Sequence, residues 1–270
     1  MHSSIPLSHQ PVITLDKVSL SYQSERGEPL HVLEEISVEL FPGELVAILG
    51  PSGCGKSSLL SIIPGLSKPD GGRVVVRDSP ATGSALSIGM VFQDPVLFAW
   101  RTAFENVMLP LEILVENGSD ITTEQERGLR VNAALSRVGL AGFEDSLPHE
   151  LSGGMKARVA VARALVTDPA VIIMDEPFAS VDDISRSALN LRLLEIKRDT
   201  EAAMVFVTHS IGEAVLLADR VLMLSRRPAR VILDIPISFG SIPRNEELSE
   251  TPEFSQYVRQ LRLALKEAAL

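Results

Sequence analysis

Apolar and polar residues alternate along VITLDKVSLSY (12–22), and again in EEISVEL and ELVAIL up to residue 49. Side chains of a strand point to opposite faces in turn, so a period of two predicts half-buried β-strands. EPL and FPGE, which carry prolines and a glycine, are read as the turns between them. This is a small β-rich start that feeds a central strand. Four later runs, IGMVF (88–92), VIIM (171–174), MVFVT (204–208) and VLMLS (221–225), are apolar on both faces. They predict strands covered by helices on both sides, as in a parallel sheet.

Between about 95 and 165 the pattern changes, with Leu129, Ala133, Leu135 and Val138 at helical spacing and no strand-like run. A helical insertion is predicted there. The closing segment PEFSQYVRQLRLALKEAAL places Phe254, Tyr257, Val258, Leu261 and Leu265 on one face of a helix. That face packs on its own domain or meets a partner; both readings stay open.

At 270 residues, with 45% apolar and 22% charged residues, the chain is long enough for a substantial core and has the balance of an ordinary α/β protein. A net charge of −10 argues against nucleic-acid binding, which needs clustered cations to displace counterions. Cys54 is the one cysteine, so no intrachain disulfide forms, and a small side chain inside a tight loop is its expected role. MHSSIPLSHQP lacks the basic start and apolar centre of a secretory signal, and no stretch approaches a membrane helix. A cytoplasmic protein is expected, with any membrane role exercised through a partner.

Chemistry enters at residues 50–58, Gly50, Pro51, Ser52, Gly53, Cys54, Gly55, Lys56, Ser57 and Ser58, between a predicted strand and a predicted helix. Gly50, Gly55, Lys56 and Ser57 fit the phosphate-loop pattern in the context that motif needs. Glycines let successive N–H groups turn inward on phosphates, and the helix start adds partial positive charge. Lys56 would reach the β and γ phosphates, and Ser57 would offer its hydroxyl to Mg²⁺. The run VIIMDE ends a buried strand on two carboxylates: Asp175 would hold Mg²⁺, and Glu176 would orient and deprotonate an attacking water. LSGGM (151–155) puts Ser152, Gly153 and Gly154 before the helix-forming KARVAVARAL, a second set of donors for an anion. Ser152 alone is explained by a helix cap; two adjacent glycines go beyond one.

GPSGCGKSS, VFQD, LSGGM, VIIMDEP and VTH, in this order, resemble the nucleotide-binding subunits of ATP-binding cassette (ABC) transporters over roughly residues 12–235. LPHELSGGMKARVAVARAL, MDEPFASVD and EAVLLADRVLMLSRRPARV are most similar to the importer branch serving nitrate, sulfonate and taurine. The resemblance implies an α/β P-loop NTPase: a RecA-like core, an N-terminal antiparallel β subdomain and an inserted helical subdomain. It implies a tail at 1–11, an ATPase domain at 12–240 and a C-terminal helical extension at 241–270. It implies ATP and Mg²⁺ as ligands, an ATP-induced homodimer, separate membrane permease subunits, an extracytoplasmic solute-binding protein, and a place on the cytoplasmic face of the membrane. Tyr22 would stack on adenine, although a tyrosine closing a strand is equally at home as a packing residue. Gln93 would sit near Mg²⁺ and the attacking water, or only cap a turn. Ser152 and Gly154 would contact the γ phosphate, Asp182 would reach across the dimer or merely start a helix, and His209 would touch the γ phosphate.

The chain departs from the family pattern at Met155, Ala157 and Ala179, and at Pro64, which should end or kink the P-loop helix because it lacks an N–H. FAWRTAFENV, with Phe98, Trp100 and Phe104, is the expected permease contact or, as three aromatics at helical spacing, core. An ATPase of another importer branch or a non-transport ABC ATPase is the alternative. A GTPase should carry N-K-x-D, which is lacking, and a small-molecule kinase leaves LSGGM unexplained.

Overall fold

The computed structural model describes residues 10–23, 27–77, 88–118 and 122–269; most of the expected tail at 1–11 lies outside them. In chain order the elements are β1 (Ile13–Gln23), β2 (Pro29–Leu40), β3 (Leu45–Leu49), α1 (Lys56–Ile62), β4 (Gly71–Val76), β5 (Ile88–Val91), α2 (Ala103–Glu116) and α3 (Glu124–Arg137). They continue with α4 (Gly153–Leu165), β6 (Val171–Asp175), α5 (Asp183–Arg198), β7 (Ala203–Val207), α6 (Ile211–Leu217), β8 (Arg220–Leu224), β9 (Val231–Pro236) and α7 (Pro252–Ala268). The fold class is α/β, as expected. The chain divides into two compact units, residues 1–77 with 203–270, and residues 78–202.

In the first unit β1 pairs antiparallel with β2 on one side and β4 on the other. The segment EPL, expected as a turn, instead opens β2, where Pro29 pairs with Gln23. Proline is tolerated there because β2 is an edge strand and its missing N–H breaks no interior ladder. FPGE does turn, with Glu44 N–H donating to the Phe41 carbonyl at 3.1 Å. β3 runs parallel to β7 and to β8, and β9 closes antiparallel on β8. All residues of β3 and β7 are buried, which is why both read as unbroken apolar runs. The C-terminal helix α7 packs on this same unit, against α6 and β8. Phe254 stacks on Phe239 with ring centroids 6.4 Å apart, and Tyr257 meets Phe239 edge-on at 5.5 Å.

In the second unit β5 and β6 form a parallel pair, and α2, α3 and α4 pack on one another. Both α2 and α3 start in reciprocal caps, Thr102 with Glu105 and Thr123 with Glu126, which satisfy orphan N–H groups at each helix start. The apolar faces of these helices, including Val107, Leu111, Val131 and Leu135, are fully buried. Phe98 and Trp100 precede α2 rather than riding on it, since the helix starts at Ala103 behind its Thr102 cap. The helical-spacing reading of those aromatics therefore fails: only Phe104 lies on the helix.

Candidate nucleotide site

β3 ends at Leu49 and the chain turns through residues 50–55 into α1. Two glycines take the left-handed backbone that L side chains avoid, Gly53 at φ +70 and Gly55 at φ +123. A side chain at Gly55 would also place its Cβ 2.8 Å from Val32 Cγ1, so the loop lies tightly on β2. Gly50 is constrained by closeness instead: a Cβ would stand 3.0 Å from both the Leu224 carbonyl oxygen and Cys54 Sγ. The start of α1 has no side-chain cap and no acid in its first turn. Its N-terminal positive end is therefore left for an anion rather than neutralised by the chain itself.

Lys56 is buried, and its Nζ donates to the carbonyls of Gly50 at 3.1 Å and Pro51 at 3.2 Å. The ammonium is thus folded back over the loop's own backbone, within the curve a phosphate chain would follow. Ser57 is exposed on the first turn of α1, and Ser52 on the outside of the loop. Burial, the largest influence on it, pushes the Cys54 thiol above its ordinary range. Cys54 is a packed, unreactive side chain, as its place in a tight loop suggested. Tyr22, at the end of β1, is exposed and donates its hydroxyl to Ser58 Oγ at 3.4 Å. The ring stands beside the first turn of α1.

The helix α1 stops at Ile62 because Pro64 has no N–H to extend it and Gly65 turns away at φ +78. His209 follows β7 and is exposed at the carboxyl end of that strand, beside the end of β3 that delivers the loop. Its predecessor Thr208 is 2% exposed and gives its hydroxyl proton to Glu213 Oε2 at 2.5 Å, which fixes the strand end where His209 emerges. Lys56, Ser57 and His209 thus gather at the carboxyl edge of one parallel sheet, where α/β folds bind ligands, and Tyr22 reaches the first turn of α1 from the antiparallel sheet.

The second unit carries the remaining residues. Val91 of β5 is the register partner of Met174 of β6. Gln93 lies two residues beyond the first, and Asp175 and Glu176 directly beyond the second, so all three emerge at one strand edge. Glu176 takes φ 45, a backbone region a non-glycine residue enters at a cost of about 1–3 kcal/mol and mostly at functional positions. Ser152 caps α4, its Oγ accepting the Met155 N–H at 3.2 Å. Gly153 and Gly154 form the first turn; a Cβ at Gly153 would meet nothing nearer than the Ser180 carbonyl oxygen at 3.8 Å, leaving its face open. Asp182 caps α5, with Oδ1 accepting the Ser185 N–H at 3.0 Å. That backbone hydrogen bond, first among the causes, holds the Asp182 carboxyl below the ordinary aspartate range.

Two residues that sequence reasoning missed hold this unit's glutamine segment in place. Arg163, in the last turn of α4, donates to the carbonyls of Pro95 and Val96, both at 2.8 Å. Asn106 is fully buried and binds the backbone of Phe98, Arg101 and Thr102. Arg163 belongs to the VARAL run, but its target lies more than sixty residues away and leaves no local pattern.

Ser57, Gln93 and Asp175 offer oxygen donors, the kind a small hard cation takes. Among the described residues no group of three His, Cys, Asp or Glu could hold a metal ion unaided. Each of these oxygens, taken on its own unit, is of the kind Mg²⁺ accepts beside phosphates and water.

A sequence model of the ABC transporter family matches residues 33–179, a stretch that holds Lys56, Gln93, Ser152 and Glu176 but not Tyr22, Asp182 or His209. The chain is 39% identical over 255 residues to the taurine import ATP-binding protein TauB of Burkholderia thailandensis, covering 93% of this chain and 94% of that one. It is 39% identical over 244 residues to an uncharacterized ABC transporter ATP-binding protein of Methanocaldococcus jannaschii, MJ0412, covering 90% and 88%. Among solved structures it is similar to the ATP-binding cassette MJ0796, a dimer in a post-hydrolysis state bound to ADP and Pi. There the TM-score is 0.72 at 29% identity, covering 84% of this chain and 100% of that one. It is likewise similar to cbiO1 of Clostridium perfringens, part of the cbiONQ complex, with TM-score 0.71 at 29% identity, covering 96% and 97%. With its glycine cradle, its second glycine-opened helix and relatives along nearly its whole length, this chain belongs to the ABC transporter family as an ATP-binding, ATP-hydrolysing subunit.

Proposed function

We propose that this ATPase powers uptake of a small sulfonate-type or nitrate-type solute through separate membrane subunits. The observation that carries the reading is the uncapped glycine cradle around Lys56, set in a chain that matches a taurine import ATPase over 93% of its length. Lys56 and the N–H groups of residues 53–58 receive the β and γ phosphates, and Tyr22 stacks on the adenine. Ser57 and, on the second unit, Asp175 and Gln93 would hold Mg²⁺, which would supply neutralisation of charge on the phosphate oxygens. Glu176 takes a proton from the attacking water as the water oxygen bonds to the γ phosphorus. The bond from phosphorus to the bridging oxygen breaks, and ADP leaves with that electron pair. His209 donates to the γ phosphate as this happens.

Each chain holds one P-loop and one LSGGM segment. In the proposed working state two chains meet head to tail, so that Ser152, Gly153 and Gly154 of one seal the nucleotide on the P-loop of the other, and Asp182 reaches towards that loop. ATP stabilises the closed pair by its differential affinity, and loss of the γ phosphate reopens it. The dimeric state of MJ0796 supports this arrangement. No helix among the described residues is long and apolar enough to cross a membrane. In this reading the ATPase works at the cytoplasmic face through permease subunits, fed by an extracytoplasmic binding protein. The exposed Phe98 and Trp100, 5.1 Å apart, are the proposed permease contact.

The test is reconstitution. Co-purified with its membrane partner in vesicles, the protein should show ATP turnover stimulated severalfold by taurine or a related sulfonate with its binding protein. Stimulation by no small anion would move it to another importer branch, a reading compatible with the likeness to cbiO1 of the cbiONQ complex.

A further inference from the structure

The outer face of the C-terminal extension separates its charges. Residues Glu246–Glu250 form a short 3-10 helix that exposes Glu246, Glu247 and Glu250. Farther along, α7 exposes Arg259, Arg262 and Lys266 on one stripe. At about 100° per residue the helix's own acids, Glu253 and Glu267, lie roughly 100° or more around from the centre of that stripe. Among the described residues none of these six side chains is in an ion pair, although Arg220 and Arg230 elsewhere on the unit find carboxylates at 2.6 Å.

The stripe lines a groove of about 370 Å³, together with Phe254, Val258 and the 53% exposed Leu263. Ser249, from the acidic turn, lines the same groove, so acidic and basic ends share one surface. Leu261 and Ala268 are buried on the other side of α7, with Phe254 at the edge of the groove, so the charged stripe lies on the exposed part of the helix.

We propose that this face pairs with the same face of a second copy, holding two chains together without nucleotide. A two-fold contact requires one patch to complement itself, and a surface with three acids at one end and three cations at the other does so when two copies run antiparallel. Such pairing sets Glu246, Glu247 and Glu250 of each chain against Arg259, Arg262 and Lys266 of the other, with Leu263 covered between them. An acidic chain of net charge −10 otherwise repels its own copy, so an unpaired basic stripe beside an acidic turn marks where two copies can approach. The contact goes beyond the ATP-closed dimer: it keeps the two chains near each other while the nucleotide sites are open and raises the effective concentration for closure.

The test is sedimentation velocity on the full chain without nucleotide. A dimer should be seen at about 50 mM salt and lost at about 1 M, where the Debye length falls to ~3 Å. Arg259→Glu, Arg262→Glu and Lys266→Glu together should weaken association at least tenfold. Adding Glu246→Lys, Glu247→Lys and Glu250→Lys to that variant should restore it, since the swapped face is again self-complementary. If the reversed variant unfolds, Arg259→Gln with Arg262→Gln gives the same reading with weaker effect. Wild-type protein that stays monomeric at low salt overturns the proposal, as does a well-folded reversed variant that dimerises normally or a swapped variant that stays monomeric. ATP-dependent dimerisation of Glu176→Gln, measured apart, reports on the nucleotide sandwich alone.

Discussion

Val91 and Met174 are register partners in the parallel pair of β5 and β6, so Gln93 and Glu176 each lie two residues past one rung of the sheet. That relation gives two residues eighty-three positions apart a common edge, and it makes their effects on turnover comparable in one assay. Glu176→Gln should lower kcat by at least about a hundredfold, because the amide accepts no proton from water, while ATP still binds and a dimer elutes on gel filtration. Gln93→Ala should lower kcat by about tenfold with little change in KM, since it positions rather than deprotonates. Wild-type turnover in Glu176→Gln would remove that carboxylate from the chemistry.

Gly55 combines a left-handed φ with a close wall, and the two effects can be separated. Gly55→Ala should destabilise the fold by about 1–3 kcal/mol and weaken ATP binding at least tenfold, because neither the φ of +123 nor the 2.8 Å approach to Val32 suits a methyl group. Val32→Ala removes the nearest part of the wall, leaving Leu33 Cδ2 at 3.1 Å and the backbone strain. In the double variant stability should recover in part, with a coupling of about 0.5–1 kcal/mol in urea denaturation, whereas ATP affinity should stay low. Full recovery of affinity would show that the steric wall, and not the loop's backbone conformation, governs the phosphate cradle.

What could be read along the chain was whatever local pattern carries. The apolar run LVAIL and the glycines after it announce β3, the loop and α1, because burial on both faces and left-handed turns each leave a mark within a few residues. Two strands left no such mark. In β4, GGRVVV is half-buried without alternation, and in β9 the exposed Ile232 blurs the period that Val231, Leu233 and Ile235 follow. The site divides in the same way. Lys56 and Ser152 sit in motifs, whereas Arg163 and Asn106 act through backbone carbonyls that only the folded chain brings to them.

Asp182 allows a cap to be told from a contact across a dimer. Its carboxyl is held below the ordinary range by the Ser185 N–H, so the carboxylate form stabilises α5 above the unfolded pKa of about 4. That contribution is lost as pH falls through the lower, folded value. Between pH 5 and 3 the melting temperature of the wild type should therefore drop further than that of Asp182→Asn, which keeps a cap that does not titrate. At pH 7.5 Asp182→Ala should melt lower than Asp182→Asn. If the carboxylate also serves the partner's loop, Asp182→Asn should lose ATP turnover while its melting temperature holds. Unchanged turnover would leave Asp182 as a cap alone.

Trp100 is 75% exposed and leans on Phe98, in a segment held from behind by Asn106 and Arg163. A large aromatic left in water on a rigid mount contributes little to the fold of its own chain and a great deal to an interface that covers it. Trp100→Ala should leave the melting temperature within about 1 °C of wild type and the isolated ATPase unchanged. Recovery of the permease on pull-down should nonetheless fall by about tenfold or more, the loss of a buried aromatic anchor. Asn106→Ala serves as the contrast, because it strips the hydrogen bonds to Phe98, Arg101 and Thr102 from a buried position and should destabilise by about 1–3 kcal/mol. Trp100→Ala that recovers the permease at wild-type yield would place the docking surface elsewhere, and a fall in melting temperature to match Asn106→Ala would make the ring a packing residue of its own segment.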